Sequence, residues 1–309
     1  MFKILTLNNI SKKGLELFPD TYQISDNEKE PDGIILRSYK MHDMEIPASV
    51  KAIARAGAGT NNIPIDRCTE RGIVVFNTPG ANANSVKELV LTGLLISSRR
   101  IIRGIDWVHS LDDDADAAKL IEKEKSKFAG PEISGKKLGV VGLGAIGVMV
   151  ANAAVSLGME VTGFDPFISV GSAWELNQQV RRSDDLKKML ADSDYISLHA
   201  PLNDKTAGMI GKEEFAQMKP GARLLNFARG GLVDTDALKQ SLDQGKIDRY
   251  VTDFPDNEIF KHDRVIPFPH LGASTPEAEE NCAKMAVRQL MDYLERGVIK
   301  NSVNFPEKK

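Results

Sequence analysis

The run Leu138-Gly139-Val140-Val141 leads straight into Gly142-Leu143-Gly144-Ala145-Ile146-Gly147 and then into a helical stretch. Few folds accept such a strand, glycine turn and helix in succession. Gly142 permits a tight turn, Gly144 lets a ligand approach the backbone, and Gly147 lets helix and strand pack closely. The first N–H groups of the helix point out of its start, where its dipole favours an anion. A second strand ends at Asp165, 18 residues after Gly147. That is close to the spacing of a carboxylate that accepts from ribose hydroxyls. The unit predicts dinucleotide binding. Asp165 repels a 2′-phosphate, and no Arg or Lys follows in Pro166-Phe167-Ile168, so NAD is expected over NADP.

The rest of the chain repeats the same alternation. Phe2–Leu7, Gly33–Leu36, Ala52–Ala56 and Val74–Phe76 read as strands, followed by a long helix over Ala83–Arg100. Asp106–Lys127 reads as a charged helical connector. A second series follows at Leu138–Val141, Glu160–Phe164, Tyr195–His199, Arg223–Asn226 and Tyr250–Asp253, with helices at Ala145–Leu157 and Asp234–Gln244. Short apolar runs alternating with helices predict parallel sheets. At 309 residues, two α/β domains are expected. The final helix starts at a possible capping box, Ser274 with Glu277, and ends before Gly297.

Composition narrows the function classes. Forty Lys plus Arg against 43 Asp plus Glu give a net charge of −3, with no basic surplus for nucleic acid. Cys68 and Cys282 are too few and too far apart for a disulfide framework or a cysteine zinc site, so no metal is expected. The N-terminus turns polar too early for a signal peptide, and Glu88–Ile96 is too short to span a bilayer. A cytoplasmic protein without membrane contact is the expectation.

Three later segments carry polar chemistry. Arg229, in Asn226-Phe227-Ala228-Arg229-Gly230-Gly231, follows a strand and suits a substrate carboxylate, although a surface arginine beside a glycine turn reads equally well. Asp253 to Glu258 close the next strand. His270, in Pro267-Phe268-Pro269-His270-Leu271-Gly272, lies between a turn and a helix start; His199, at a strand end, is its rival as acid–base.

Taken together, Gly142–Gly147, Asp165, His199-Ala200-Pro201-Leu202, Ala228-Arg229-Gly230-Gly231, Glu258 and Pro269-His270-Leu271-Gly272 resemble the D-isomer-specific 2-hydroxyacid dehydrogenases. Arg55-Ala56-Gly57-Ala58-Gly59, Asn61-Asn62 and Phe76-Asn77-Thr78-Pro79 extend the likeness over nearly the whole chain, most strongly to the branch acting on 3-phosphoglycerate. The resemblance implies two Rossmann-like or flavodoxin-like domains. An NAD domain over residues 99–281 would be inserted into a substrate domain of residues 1–98 and 282–309. It implies reversible hydride transfer between 3-phosphoglycerate and NAD, the first step of serine synthesis, in a homodimer formed through the cofactor domain. His270 would be the acid–base, Glu258 its partner, and Arg229 the carboxylate anchor. Asp253 would meet the nicotinamide carboxamide, while Ala145, Ile146, Ala200, Pro201, Ala228 and Gly272 would line the cofactor. Arg37, Ala58 and Gly59 would face the substrate, and Lys125 stands where some relatives carry a phosphate-facing arginine. Formate dehydrogenases of the superfamily carry glutamine where this chain has Glu258. With no segment beyond Lys309, serine feedback through a regulatory domain is not expected. A hydroxypyruvate or glyoxylate reductase, and an NAD-sensing binding protein like the co-repressors on this fold, are the other readings.

Overall fold

The computed structural model describes residues 1–111 and 116–306. Among these residues the strands are β1 (Phe2–Leu7), β2 (Tyr22–Ser25), β3 (Gly33–Leu36), β4 (Ala52–Arg55), β5 (Val74–Phe76), β6 (Lys137–Val141), β7 (Glu160–Phe164), β8 (Arg181–Arg182), β9 (Tyr195–Leu198), β10 (Ala222–Asn226), β11 (Ile247–Thr252) and β12 (Val265–Pro267). They form a five-stranded sheet in the order β2-β1-β3-β4-β5 and a seven-stranded sheet in the order β12-β11-β10-β9-β6-β7-β8. Every strand pair in both ladders is parallel.

The sequence of β3 shows why. Ile34, Ile35 and Leu36 are consecutive and all fully buried. A strand covered on both faces loses the period-2 alternation, which is the mark of a parallel sheet between helices. The first sheet has the flavodoxin-like order and the second the Rossmann order with one added strand. In the second sheet the chain leaves β6 for β7 on one side and later places β9 on the other. This reversal beside β6 is the switch point where open α/β sheets bind ligands, outside the carboxyl ends of the strands.

The chain divides into two compact units, Met1–Ser85 with Ala273–Lys309, and Val86–Gly272. The second is inserted into the chain of the first, but its limits fall at 86 and 272 rather than at the expected 99 and 281. The reason is packing. Val86, Val90 and Leu94 of the helix Ala83–Ser98 are buried in one cluster with Val140, Leu225, Phe227 and Val251. At the other end, Ala278, Cys282, Ala283, Ala286, Val287 and Leu290 of the last helix, Pro276–Arg296, are buried, and Cys282 to Leu290 share a core with Ile4, Ile35, Ala54 and Phe76. Burying a valine or leucine among them contributes roughly 1.5–3 kcal/mol, so these contacts decide to which unit the bulk of a helix belongs.

The last helix is capped by Thr275, not Ser274. The Thr275 hydroxyl accepts from the Ala278 amide at 3.1 Å, and Pro276 occupies the first turn. Proline there holds the preceding residue extended, which makes Thr275 the cap. Gly297 ends the helix at φ 68°, as its position predicts. The connector resolves into helices Ile101–His109 and Ala117–Glu124 and a 3-10 turn, Lys125–Phe128; residues 112–115 of the expected connector lie outside the described residues. No helix among them is long and apolar enough to cross a membrane.

Candidate active site

The glycine turn has the geometry its chemistry needs. Gly142 adopts φ 91°, and a Cβ on it would stand 2.7 Å from the His199 carbonyl carbon and 2.8 Å from the Ala200 nitrogen. Thus Gly142 lets the end of β6 touch the end of β9 at the switch point. A Cβ on Gly147 would lie 1.9 Å from the Gly142 carbonyl oxygen. Gly144 differs: it is extended at φ −76°, caps the helix Ala145–Ser156, and a Cβ on it would meet nothing within 4 Å. The space before this helix start is open. Asp165 stands just past β7 and ties the turn together. Its carboxylate accepts from the Leu143 amide at 2.8 Å and from the Phe167 amide at 2.8 Å.

His199 belongs to this scaffold. Its backbone lies against Gly142 and its amide donates to the Val141 carbonyl at 2.7 Å, while the ring Nε2 bonds the Ser197 hydroxyl at 2.8 Å. Burial pushes the imidazole down to about 4. A histidine that stays neutral near pH 7 and is held below the turn is a poor acid–base, so the sequence-level rivalry with His270 resolves toward structure for His199. A stability consequence follows. Between pH 6.5 and about 4 the unfolded chain binds a proton that folded His199 refuses, so stability falls as pH drops through that window. One pKa unit corresponds to 1.36 kcal/mol, which gives a loss on the order of 3 kcal/mol. Urea unfolding at pH 7 and pH 4 should show this loss in the wild type and a smaller one in His199→Gln; equal losses would disprove the assignment.

The second cluster gathers at the carboxyl ends of β10, β11 and β12. Asn226 is fully buried and builds the turn that carries Arg229. Its Oδ1 accepts from the amides of Ala228 and Arg229 at 3.2 and 3.3 Å, and its Nδ2 donates to the Arg229 carbonyl at 2.9 Å. This role escaped the sequence reading, although an asparagine closing a strand before a turn is the local signal for it. The exposed Arg229 guanidinium lies 6.0 Å from the centre of the Phe254 ring, and that ring lies 4.6 Å from the imidazole of His270. Arg229, Phe254 and His270 therefore form a row. Asp253, 3% exposed, lies beside it with Oδ1 buried and without a hydrogen-bond partner among the described residues. Burial raises its carboxyl above the usual range, while the charges of His270 and Arg229 pull it back. Glu258 is exposed, and among the described residues no hydrogen bond or ion pair joins it to His270. Its loop is shaped by Asp256, which accepts from the Glu258 and Ile259 amides at 3.0 and 3.1 Å.

In the first unit, Arg37 follows β3, donates to the Ala273 carbonyl at 3.3 Å and pairs with Glu279. Asn62, 8% exposed, shapes this end of the sheet by donating to the carbonyls of Arg37 and Tyr39 at 3.1 and 2.8 Å. Ala58 and Gly59 lie in the half-buried loop after β4, where the Ala58 carbonyl accepts from Asn77 at 2.6 Å. Lys125 is exposed in the 3-10 turn and pairs with Glu122. No group of three or more His, Cys, Asp and Glu among the described residues is placed to hold a metal ion.

Residues 91–272 match the NAD-binding domain of the D-isomer-specific 2-hydroxyacid dehydrogenases. The chain belongs to that family. A D-3-phosphoglycerate dehydrogenase of Methanocaldococcus jannaschii is 36% identical over 90% of this chain and 52% of its own length. The chain spans about half the length of the curated relatives it matches. An NAD-bound 3-phosphoglycerate dehydrogenase of Entamoeba histolytica superposes with a TM-score of 0.78 at 26% identity, covering 98% of this chain and 99% of the other. A glyoxylate reductase from Paecilomyes thermophila superposes with a TM-score of 0.80 at 25% identity over 100% and 99% of the two chains.

Proposed function

We propose that this dehydrogenase-family chain catalyses reversible, NAD-linked oxidation of D-3-phosphoglycerate at C2, giving 3-phosphohydroxypyruvate, the entry step of serine synthesis. The row of Arg229, Phe254 and His270 beside the unpartnered Oδ1 of Asp253 carries the chemical reading. The likeness to curated phosphoglycerate dehydrogenases supports the substrate.

The residues present fit NAD. The open space at Gly144 and the free amides at the start of Ala145–Ser156 would take the pyrophosphate. Asp165 would take the ribose hydroxyls with its remaining lone pairs. Ala145, Ile146, Ala200, Pro201, Ala228 and Gly272 would line the cofactor. The orphaned Oδ1 of Asp253 would accept from the nicotinamide carboxamide, giving that buried oxygen a partner. When bound, NAD supplies the acceptor for the C2 hydride. Arg229 grips the substrate carboxylate with its planar fork. Neutral His270 takes the hydroxyl proton in oxidation and returns it in reduction. Glu258 is assigned as its orienting partner. Catalytic hydrogen bonds are often long before substrate binds and tighten in the complex, so the absence of one here does not remove Glu258 from the reading.

Arg37, with Ala58 and Gly59, is assigned to the substrate, and Arg37 to its phosphate end. Lys125 is the second phosphate candidate; both cations are already paired, Arg37 with Glu279 and Lys125 with Glu122. The test is NAD-linked turnover over D-2-hydroxy acids with and without a terminal phosphate. We expect 3-phosphoglycerate to be oxidised fastest, and Arg37→Ala to lower its kcat/KM at least tenfold more than that of the unphosphorylated acids. Faster turnover of glyoxylate or hydroxypyruvate would favour the reductase reading, to which the Paecilomyes enzyme's fold lends support. NAD binding without turnover on any substrate would favour a binding protein.

The same proposal includes a cytoplasmic homodimer formed through the second unit. On the helix Ile101–His109, Ile102, Ile105 and Val108 are 42%, 50% and 40% exposed. Ile105 and Val108 line a groove of about 370 Å³ with Trp107 and Phe128. Apolar surface of this kind is typically covered by a partner. Ile105→Asp should convert the dimer to a monomer in light scattering, and an unchanged mass would exclude this face.

A further inference from the structure

The carboxyl ends of the seven strands carry the candidate active site; their amino ends carry an unassigned cluster of charge. Lys136 directly precedes β6, Asp194 precedes β9, and Lys219 and Arg223 flank the start of β10. Asp248 and Arg249 begin β11, and Arg264 precedes β12. In a parallel sheet these ends share one edge, on the opposite side from the glycine turn. A five-residue strand is roughly 16 Å long, so the two edges are well separated.

The cluster is unbalanced. Asp248 alone receives Arg223 at 2.9 Å, Arg249 at 2.9 Å and Arg264 at 3.2 Å. The side chains of Arg223 and Arg249 are each only 13% exposed. Asp194 takes Lys219 at 2.8 Å and is also bonded by the Lys137 amide at 2.9 Å. The Lys136 side chain has no hydrogen bond or ion pair among the described residues. The neighbouring acids do not restore the balance, since Asp192 is paired with Lys137 and Asp263 with Arg103. Five cations thus face two carboxylates. Burial, and then the charges of Arg100, Arg103 and Arg264, pull Arg249 below the usual guanidinium range against the pull of Asp248. Excess charge taken out of water is costly unless an opposite charge meets it.

There is also room for a counter-ion. Lys136, Lys219 and Arg223 line a polar pocket of about 140 Å³ together with the Asp194 carboxylate, which Lys219 pairs, and with Tyr195, whose ring centre lies 5.2 Å from the Arg223 guanidinium. The pocket is large enough for one tetrahedral oxyanion, and its lysines offer point charges that bind phosphate, beside an Arg223 guanidinium whose Nε and Nη2 are held by the Ser97 carbonyl and Asp248.

We propose that this amino-terminal edge is a second anion site, distinct from the candidate active site, that binds a phosphate dianion between Lys136, Lys219 and Arg223. The ligand is inorganic phosphate or the phosphate end of a small phosphomonoester; both present the same group. Isothermal titration at constant ionic strength with each of the two, on the full chain, tests it. The wild type should bind saturably, and Lys136→Ala/Lys219→Ala should weaken that binding at least tenfold. Lys136→Arg should retain it, because it keeps the charge. Both lysines are partly exposed, and a circular-dichroism melt of the double variant confirms that it folds. Should it not, the single variant Lys136→Gln serves, with a smaller expected loss. Tighter binding of the monoester identifies a metabolite phosphate as the ligand, and equal or tighter binding of inorganic phosphate identifies the free ion. Absence of saturable binding by the wild type overturns the proposal. So does equal binding by the variants, because the phosphate would then sit at the glycine turn or near Arg37.

Discussion

Replacing His270 with alanine should leave NAD binding intact and lower turnover by about 100- to 10,000-fold, the range that a positioned general acid–base contributes. The ring is set against Phe254 at a 59° angle and 4.6 Å between centres, in the row that ends at Arg229. It is exposed, so it can exchange a proton with a ligand, whereas His199 is half-buried against the glycine turn and its imidazole is pushed down to about 4 by desolvation. None of the assigned cofactor contacts passes through His270, which is why binding should survive. Parallel measurement of NAD affinity and steady-state rates separates the two effects. Glu258→Gln should show a smaller loss of turnover with the same intact binding, since it orients the base rather than replacing it. Unchanged turnover in His270→Ala would remove His270 from the mechanism.

Two glycines three residues apart in sequence should behave in opposite ways. Gly147→Ala places a methyl carbon 1.9 Å from the Gly142 carbonyl oxygen. The obstacle is backbone, which cannot rotate away, so helix and strand must separate. Overpacking typically costs about 1–3 kcal/mol, and a backbone clash belongs at the upper end. The same shift would displace the helix start that faces the assigned pyrophosphate. Gly144→Ala meets open space and an extended backbone that any residue adopts. Its cost to the fold should be limited to the weaker capping of alanine, up to about 1 kcal/mol. Yet its methyl would stand where the pyrophosphate approaches, so NAD affinity should fall at least tenfold. Chemical denaturation and NAD titration of both variants check the contrast. A Gly144→Ala protein that binds NAD as the wild type does would refute the assigned approach of the cofactor.

Much of the fold was legible because it depends on local signals. β1, β3, β5 and β7 have the bounds their apolar runs predict. The edge strands β2, β8 and β12 were missed. Tyr22–Ser25 is half exposed and Arg181–Arg182 is wholly exposed, so neither carries the apolar run by which a strand is recognised. The glycine turn was readable residue by residue, since φ 91° at Gly142 and the near-contact at Gly147 are demands that only glycine meets.

The chain by itself determined which chemical groups are available: a glycine turn with its acid at Asp165, an arginine after β10, a histidine before the last helix, and alternating strands and helices that compel two parallel sheets. Periodicity and spacing carry this information because each depends on neighbours in sequence. Tertiary structure alone decided the rest. It assigned the helix Ala83–Ser98, from Val86 onward, to the second unit through Val90 and Leu94. It packed His199 against the glycine turn and lowered its basicity, left the Asp253 Oδ1 buried without a partner, and among the described residues formed no hydrogen bond between Glu258 and His270. It also collected Lys136, Lys219 and Arg223, far apart in the chain, around one pocket. Burial and charge proximity are properties of contacts between residues distant in sequence, so no local pattern records them.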